Sequence, residues 1–213
     1  MATKVNGTAV GQLAEVANFL DAVLVHVSTD YVFSGDKSEP YLEDDETGPM
    51  SAYGRSKLSG EQALLGSGLH RFFIIRTSWL YGHGGKNFVE TMRRLALERD
   101  ELRVVADQVG TPTNTEDLAA AIMNLLSTEE HGVYHFSNEG VCSWFDFASE
   151  IVRQLRAVGA DLTVKEVLPI KSEDYPLPAT RPVYSVFSKE KYKRVTGASV
   201  PAWQESLKRY LSC

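Results

Sequence analysis

Apolar positions fall into short buried runs separated by longer stretches of helical spacing, and the two alternate along the chain. Val10, Leu13, Ala14, Val16, Ala17 and Leu20 recur at helix spacing over residues 5–21. Val23–Val27 then reads as a buried strand that runs into polar Ser28-Thr29-Asp30. A loop with turn residues (Gly35, Pro40, Gly48, Pro49) leads to a helix over 51–65, closed by Gly66 and Gly68. The pattern next predicts a strand over 72–76 ending in Thr77-Ser78-Trp79, a glycine-rich loop (Gly82-His83-Gly84-Gly85) and a helix over 87–99. A strand over 102–105, a helix over 115–127 capped by Asn114 and a strand over 133–136 follow. The last third predicts a helix from Ser143 to about 157, a strand over 164–168 and helices over 188–195 and 201–211.

Strands alternating with helices imply an α/β fold with a mainly parallel sheet and helical crossovers. Ligands in such sheets bind beyond the carboxyl ends of the strands, so Ser28-Thr29-Asp30 and Thr77-Ser78-Trp79 are expected to face one cleft. The expected division is a partial Rossmann-like nucleotide-binding unit over residues 1–140, carrying the reactive residues. A small α/β substrate lobe follows, mainly over 141–213, with interleaved boundaries. No internal repeat or low-complexity run interrupts this pattern.

Composition narrows the class. The chain is 43% hydrophobic and 23% charged, with a formal net charge of −6, as expected of a soluble protein with a proper core. No basic run or basic helix face stands out, which argues against nucleic acid as a partner. No apolar stretch reaches membrane-spanning length and no signal-peptide core appears, so a membrane is not expected and a cytoplasmic setting is. Two cysteines, Cys142 and Cys213, fit a reducing compartment. His131 and His135 lie about 13 Å apart in a strand, too far to share a metal, and no metal site is expected.

Chemistry concentrates between His26 and Leu64. Tyr53 and Lys57 are four residues apart on the predicted helix, on one face and one turn apart. A phenol there can donate a proton beside an ammonium that favours its ionised form, which is expected to lower the Tyr53 pKa. Tyr-x3-Lys alone is a weak signal whose bland reading is an exposed helix pair. Its place after a strand ending in Ser-Thr-Asp, with Gly54 and Gly60 leaving room beside that face, favours catalysis. Trp79 is either a core aromatic or a flat surface for a base or sugar. Gly82–Gly85 precedes a helix and is either a phosphate cradle or a surface turn. Arg181, in Leu177-Pro-Ala-Thr-Arg-Pro182, either forks onto a diphosphate or makes a structural ion pair. The acidic run Glu43–Glu46 reads as solvated loop, with a cation site the lesser alternative, and Cys142 as a packing residue. No Gly-x-Gly-x-x-Gly turn precedes Val23.

Together these segments resemble the dTDP-4-dehydrorhamnose reductase family of extended short-chain dehydrogenase/reductases. The matching stretches are Val27–Phe33, Tyr53-Gly-Arg-Ser-Lys57, Arg76–Gly82, Lys86-Asn-Phe-Val89, Asp107–Thr113, Asp117-Leu-Ala119 and Ala179-Thr-Arg-Pro182. The resemblance implies a catalytic triad of Thr29, Tyr53 and Lys57. It also implies NADPH as hydride donor (NADH the alternative), with Ser28, Tyr53, Lys57 and Thr77 on the cofactor. Trp79 would stack near the base of a dTDP-sugar, and Asp30, Tyr31 and Asn87 would contact that substrate, for which Arg181 is the further candidate. The product would be dTDP-L-rhamnose, a sugar donor for cell-wall and lipopolysaccharide polymers. Family members begin with a strand and a glycine-rich turn for the cofactor diphosphate, whereas Met1 aligns near their fourth crossover helix. The resemblance therefore implies an incomplete doubly wound sheet lacking its first strands, weak cofactor binding or inactivity of this chain, and strand 23–27 left as an edge. Homodimerisation or self-association through that strand is expected. Two rival readings stay open: another nucleotide-sugar epimerase or dehydratase, and a non-catalytic sugar-nucleotide or protein-binding subunit.

Overall fold

The computed structural model describes residues 2–175 and 181–212. A π-turn over Lys4–Thr8 opens directly into α1, Ala9–Phe19, and the chain reverses at Asp21, whose φ is +49°. Strand β1, Leu24–Thr29, is followed by a single 3-10 turn over Asp30–Val32 and then α2, Ala52–Leu65. Next come β2, Phe72–Thr77, β3, Leu80–Tyr81, and α3, Phe88–Glu98. Strands β4, Glu101–Val105, β5, Val109–Gly110, and β6, Thr113–Asn114, lead into α4, Thr115–Leu126. The rest is β7, Gly132–His135, β8, Cys142–Ser143, α5, Trp144–Ala157, β9, Glu166–Ile170, α6, Glu190–Thr196, and α7, Trp203–Leu211.

The central sheet is parallel in the order β1-β2-β7. Side-chain alternation along β2 divides its neighbours into two layers. Ile74 joins Val10, Ala14, Ala17 and Leu64 under α1 and α2, whereas Phe73 and Ile75 join Leu118, Ala121 and Tyr192 under α4 and α6. A second core lies among α3, α5, α7 and β4, centred on Tyr81, Phe147, Ile151 and Leu207. The parallel pair β4-β9 closes this lobe, so residues 101–105 belong with a segment more than sixty positions later. Interleaving of the chain between the two cores follows directly from that pairing.

Most predicted elements appear within a residue or two of their expected limits. The strand expected at 164–168 is displaced to Glu166–Ile170. Pro169 falls inside it and is tolerated because among the described residues β9 pairs on one side only, where Ile170 O accepts the Ala106 N–H just past β4. The two-residue pairings β3-β6 and β5-β8 carry no periodicity and were not expected. Nor is the acidic run free loop. Glu43 Oε1 accepts the His135 N–H at 3.1 Å, Glu43 O accepts Arg76, and Asp45 pairs with Lys37 at 2.5 Å. Among the described residues no helix is long and apolar enough to cross a membrane, and no cluster of potential metal ligands forms.

Candidate active site

Ser51 caps α2 by accepting the Gly54 N–H at 3.0 Å, which fixes where the helix begins and thus which face Tyr53 and Lys57 share. Gly54 explains how close the partner segment comes. A Cβ at that position would lie 2.1 Å from the Tyr31 carbonyl oxygen, so only glycine lets the turn after β1 reach the helix. Gly60 does the same for the Asn6 carbonyl. Both glycines therefore admit protein backbone rather than ligand.

The turn that Gly54 admits carries Thr29, Asp30 and Tyr31. The Thr29 hydroxyl donates to Asp30 Oδ1 at 3.0 Å and accepts the Tyr31 N–H at 3.3 Å, and it acts electrostatically on the Tyr53 phenol. The Tyr31 and Tyr53 rings meet edge-on with centroids 5.7 Å apart. Thr29 and Thr77 are register partners at the ends of β1 and β2, so the two strand ends do meet in one place. Lys57 Nζ donates to the Val27 carbonyl at 2.7 Å.

The electrostatics correct one expectation. The Tyr53 pKa is held above the ordinary phenol value, chiefly by burial and further by the Asp30 charge, while the Thr29 hydroxyl works the other way. Lys57 does not pull it down, because its ammonium is turned to the Val27 carbonyl. Burial lowers the Lys57 pKa and Glu61 opposes this. Asp30 is only 3% exposed and burial pushes its carboxyl up to about 6, against hydrogen bonds from Thr29 and Ser185.

That last shift has a stability consequence. A carboxyl with a folded pKa above its unfolded value binds extra protons between pH 3.8 and about 6, so stability falls as pH rises through that window. At pH 7 the whole penalty is present. Asp30→Asn is expected to be more stable than the parent by about 1–3 kcal/mol at pH 7 and equal to it near pH 4. Urea unfolding at the two pH values checks this, and equal stability at pH 7 would refute it.

The remaining predicted residues fall into three groups. Thr77 is buried, and its Oγ1 has no hydrogen-bond partner among the described residues. Ser28 and Asn87 spend their side chains internally: Ser28 Oγ donates to Glu61, while Asn87 caps α3 and donates to Gly82 O at 2.9 Å and Gly85 O at 3.3 Å. Gly82–Gly85 is thus a braced turn. Trp79 is neither simple core nor free platform. It is half-buried at φ +47°, lies on Gly110, and stacks on Trp144 with ring centroids 3.6 Å apart. Arg181 stands 5.9 Å over the same Trp144 ring and acts electrostatically on Tyr31, which brings it to the cleft side of the lobe. Residues 177–180 of its segment lie outside the described residues. A cavity of about 110 Å³ opens between Phe88, Gln108, Trp144, Tyr175 and Arg181. Trp144 and Phe88, which line it, carry no local sequence signal of their own. Cys142 is buried and, among the described residues, forms no disulfide.

A parallel sheet whose strand ends set a threonine hydroxyl against a helix-borne Tyr-x3-Lys pair defines a Rossmann-like protein of the short-chain dehydrogenase/reductase type. The family model described as RmlD substrate binding domain matches residues 1–213. The dTDP-4-dehydrorhamnose reductase of Burkholderia thailandensis is 44% identical over 211 residues, covering 94% of this chain and 70% of that protein. The crystal structure of a dTDP-4-dehydrorhamnose reductase from Clostridium acetobutylicum superposes with a TM-score of 0.92 at 42% identity, covering 99% of this chain and 72% of that one. That of the Bacillus anthracis dTDP-4-dehydrorhamnose reductase in complex with NADP gives 0.88 at 44% identity, covering 97% and 71%. The chain belongs to the dTDP-4-dehydrorhamnose reductase family.

Proposed function

We propose that the protein carrying these residues reduces dTDP-4-dehydro-6-deoxy-L-mannose to dTDP-L-rhamnose with NADPH, in nucleotide-sugar biosynthesis. The observation that carries this reading is the meeting of Thr29, at the end of β1, with Tyr53 and Lys57 on one face of α2, in a chain that matches the family along its length. Thr77 supports the fit to a dinucleotide, since its buried hydroxyl lacks a protein partner. Lys57 adds two further N–H groups beyond the one given to Val27. Tyr53, Lys57, Thr77 and the Ser28 turn would hold the nicotinamide end, and NADPH supplies the hydride when bound.

The chain's own residues handle the proton. Reduction of a ketone builds negative charge on its oxygen, to which the Tyr53 hydroxyl donates, joined by Thr29 when its proton turns from Asp30 Oδ1. Tyr53 passes its proton to that oxygen, and the two N–H groups that Lys57 has left are turned to the cofactor. Burial and Asp30 keep the phenol protonated at neutral pH, as a reductase needs. Asp30 and Tyr31 border the sugar, the braced Gly82–Asn87 loop its far side, and Trp79 with Arg181 the nucleotide. Labour is divided between a nucleotide-binding unit mainly over residues 1–140 and a lobe mainly over 141–213, with Tyr81, α3 and β4 packed into the lobe's core and α6 against the sheet. Incubation with the keto-sugar and NADPH should yield dTDP-L-rhamnose, identified by product chromatography. An epimerised or dehydrated product, or no NADPH oxidation, would overturn the reading.

Trp79→Ala is expected to weaken substrate binding by about 1–3 kcal/mol, the scale of base–aromatic stacking. Calorimetric titration checks it. Loss of folding with unchanged affinity per folded molecule would make Trp79 a partner for Trp144 and nothing more.

The setting is cytoplasmic in this reading, and the chain self-associates as a homodimer or larger species. Two observations support association. Among the described residues β1 pairs on one side only, with β2. Leu13 and Val16 on the neighbouring α1 and Leu20 just past its end form an exposed apolar stripe, at 55%, 55% and 64% exposure. Val25 is unsuited to a test, because its side chain packs on the core under α4. Leu13→Glu/Val16→Glu is expected to convert the 213-residue chain to monomer by light scattering at roughly tens of micromolar, a range where moderate self-affinity shows. A parent chain already monomeric would sink the proposal.

A further inference from the structure

Tyr53 and Lys57 are followed on the same face of α2, one more turn along, by a residue that the proposed reduction does not use. Glu61 is 0% exposed. A buried carboxylate is costly unless it is paired, and this one is held from two strands. Arg76 Nε lies 3.1 Å and 3.2 Å from its two oxygens and Nη2 2.8 Å from Oε2. Arg76 is itself 5% exposed and is kept in place by the Glu43 carbonyl, 3.1 Å from Nη1, and by the Phe33 ring beneath it. Ser28 donates its hydroxyl to Glu61 from the other strand. Ser28 and Arg76 are register partners immediately before Thr29 and Thr77. One side chain of α2 therefore joins both strand ends at the step before the reactive residues.

Anchoring α2 does not by itself call for charge, since a buried ion pair is often no more stable than apolar residues of similar volume. The charge matters to the neighbour. Burial disfavours the ammonium of Lys57, and Glu61 is the group that counters it. The charged and titratable groups acting on Lys57 are Glu61 on its own helix and His26 on β1, with Tyr53 one turn back on the same face. Arg76 on β2 stands behind Glu61, and Asp30 acts on the adjoining Tyr53.

We propose that Glu61 is a positioning residue for this site, locking the ends of β1 and β2 to α2 and supplying the negative charge that keeps the Lys57 ammonium in place beside Tyr53. Its catalytic consequence rests on the reductase reading, but its geometry and its effect on Lys57 do not. The test is therefore a titration that needs no turnover. Carbon-13 labelling of lysine Cε lets Lys57 be followed by NMR, its signal assigned by its loss in Lys57→Arg. In Glu61→Gln, which keeps the shape and an acceptor for Ser28, the Lys57 midpoint is expected to fall by about 1–3 pH units. Glu61→Asp should restore most of it. Should the single variant unfold, Glu61→Gln/Arg76→Met, which leaves no charge unpaired, carries the measurement with a smaller fall of the same sign. In the assay for keto-sugar reduction, the alkaline limb of kcat/KM should move down with the Lys57 midpoint. An unchanged midpoint in the folded single or double variant would overturn the proposal. A shifted midpoint in a protein that does not reduce the sugar would instead overturn the functional reading and leave this one standing.

Discussion

Tyr53→Phe is expected to lower turnover of the keto-sugar by about 10²–10⁴, the span for loss of a positioned acid. The effect should fall on kcat, because the phenol hydroxyl meets the carbonyl oxygen most strongly as charge develops there. Folding should hardly change. The residue is 49% exposed, and its ring contact with Tyr31 survives in phenylalanine. Thermal unfolding beside steady-state kinetics separates the two effects. Near-normal turnover in a folded variant would remove Tyr53 from the mechanism. The pH dependence has a definite sign as well. A proton donor works only while protonated, and burial with Asp30 holds the Tyr53 proton on above the ordinary phenol value. Reduction should therefore persist on the alkaline side of neutrality, and Asp30→Asn, which removes one of those influences, should bring the alkaline limb down.

The sequence showed the order of strands and helices and the residues at the strand ends because both are local signals. Buried runs such as 72–77 and caps such as Ser51, Asn114 and Ser143 are legible from neighbouring residues alone. What it did not show depends on contacts between distant segments. Nothing near Glu61 announces Arg76, fifteen positions on, or Ser28, thirty-three positions back. Glu43 looked like one of four solvated acids, yet it meets His135 ninety-two positions away. Trp144 opens α5 at a position typical of packing, and only the fold lays it on Trp79. The effect expected of Lys57 on Tyr53 failed for a related reason. Helical spacing puts the two on one face, but the carbonyl that turns the ammonium aside belongs to β1.

The second large effect concerns stability. Arg76→Met should cost about 3–5 kcal/mol, because it leaves the Glu61 carboxylate buried with the Ser28 hydroxyl as its remaining hydrogen-bond partner among the described residues. Methionine replaces most of the apolar volume and keeps packing on Phe33, so the loss reports charge and not a cavity. Stabilities of domains run to roughly 5–15 kcal/mol, so a change of this size takes a large share. For a chain of this length it corresponds to a fall in Tm of about 6–20 °C. The second replacement identifies the cause. Adding Glu61→Gln removes the stranded charge, retains an acceptor for Ser28, and should recover at least half of the loss. Independent effects would instead add, making the double variant worse than either single one. Differential scanning calorimetry on the parent, both single variants and the double completes the cycle. A loss under about 1 kcal/mol in Arg76→Met, in the range of an exposed pair, would show that water or a rearranged loop reaches Glu61. The sealed joint between α2 and the two strand ends would then not exist as described.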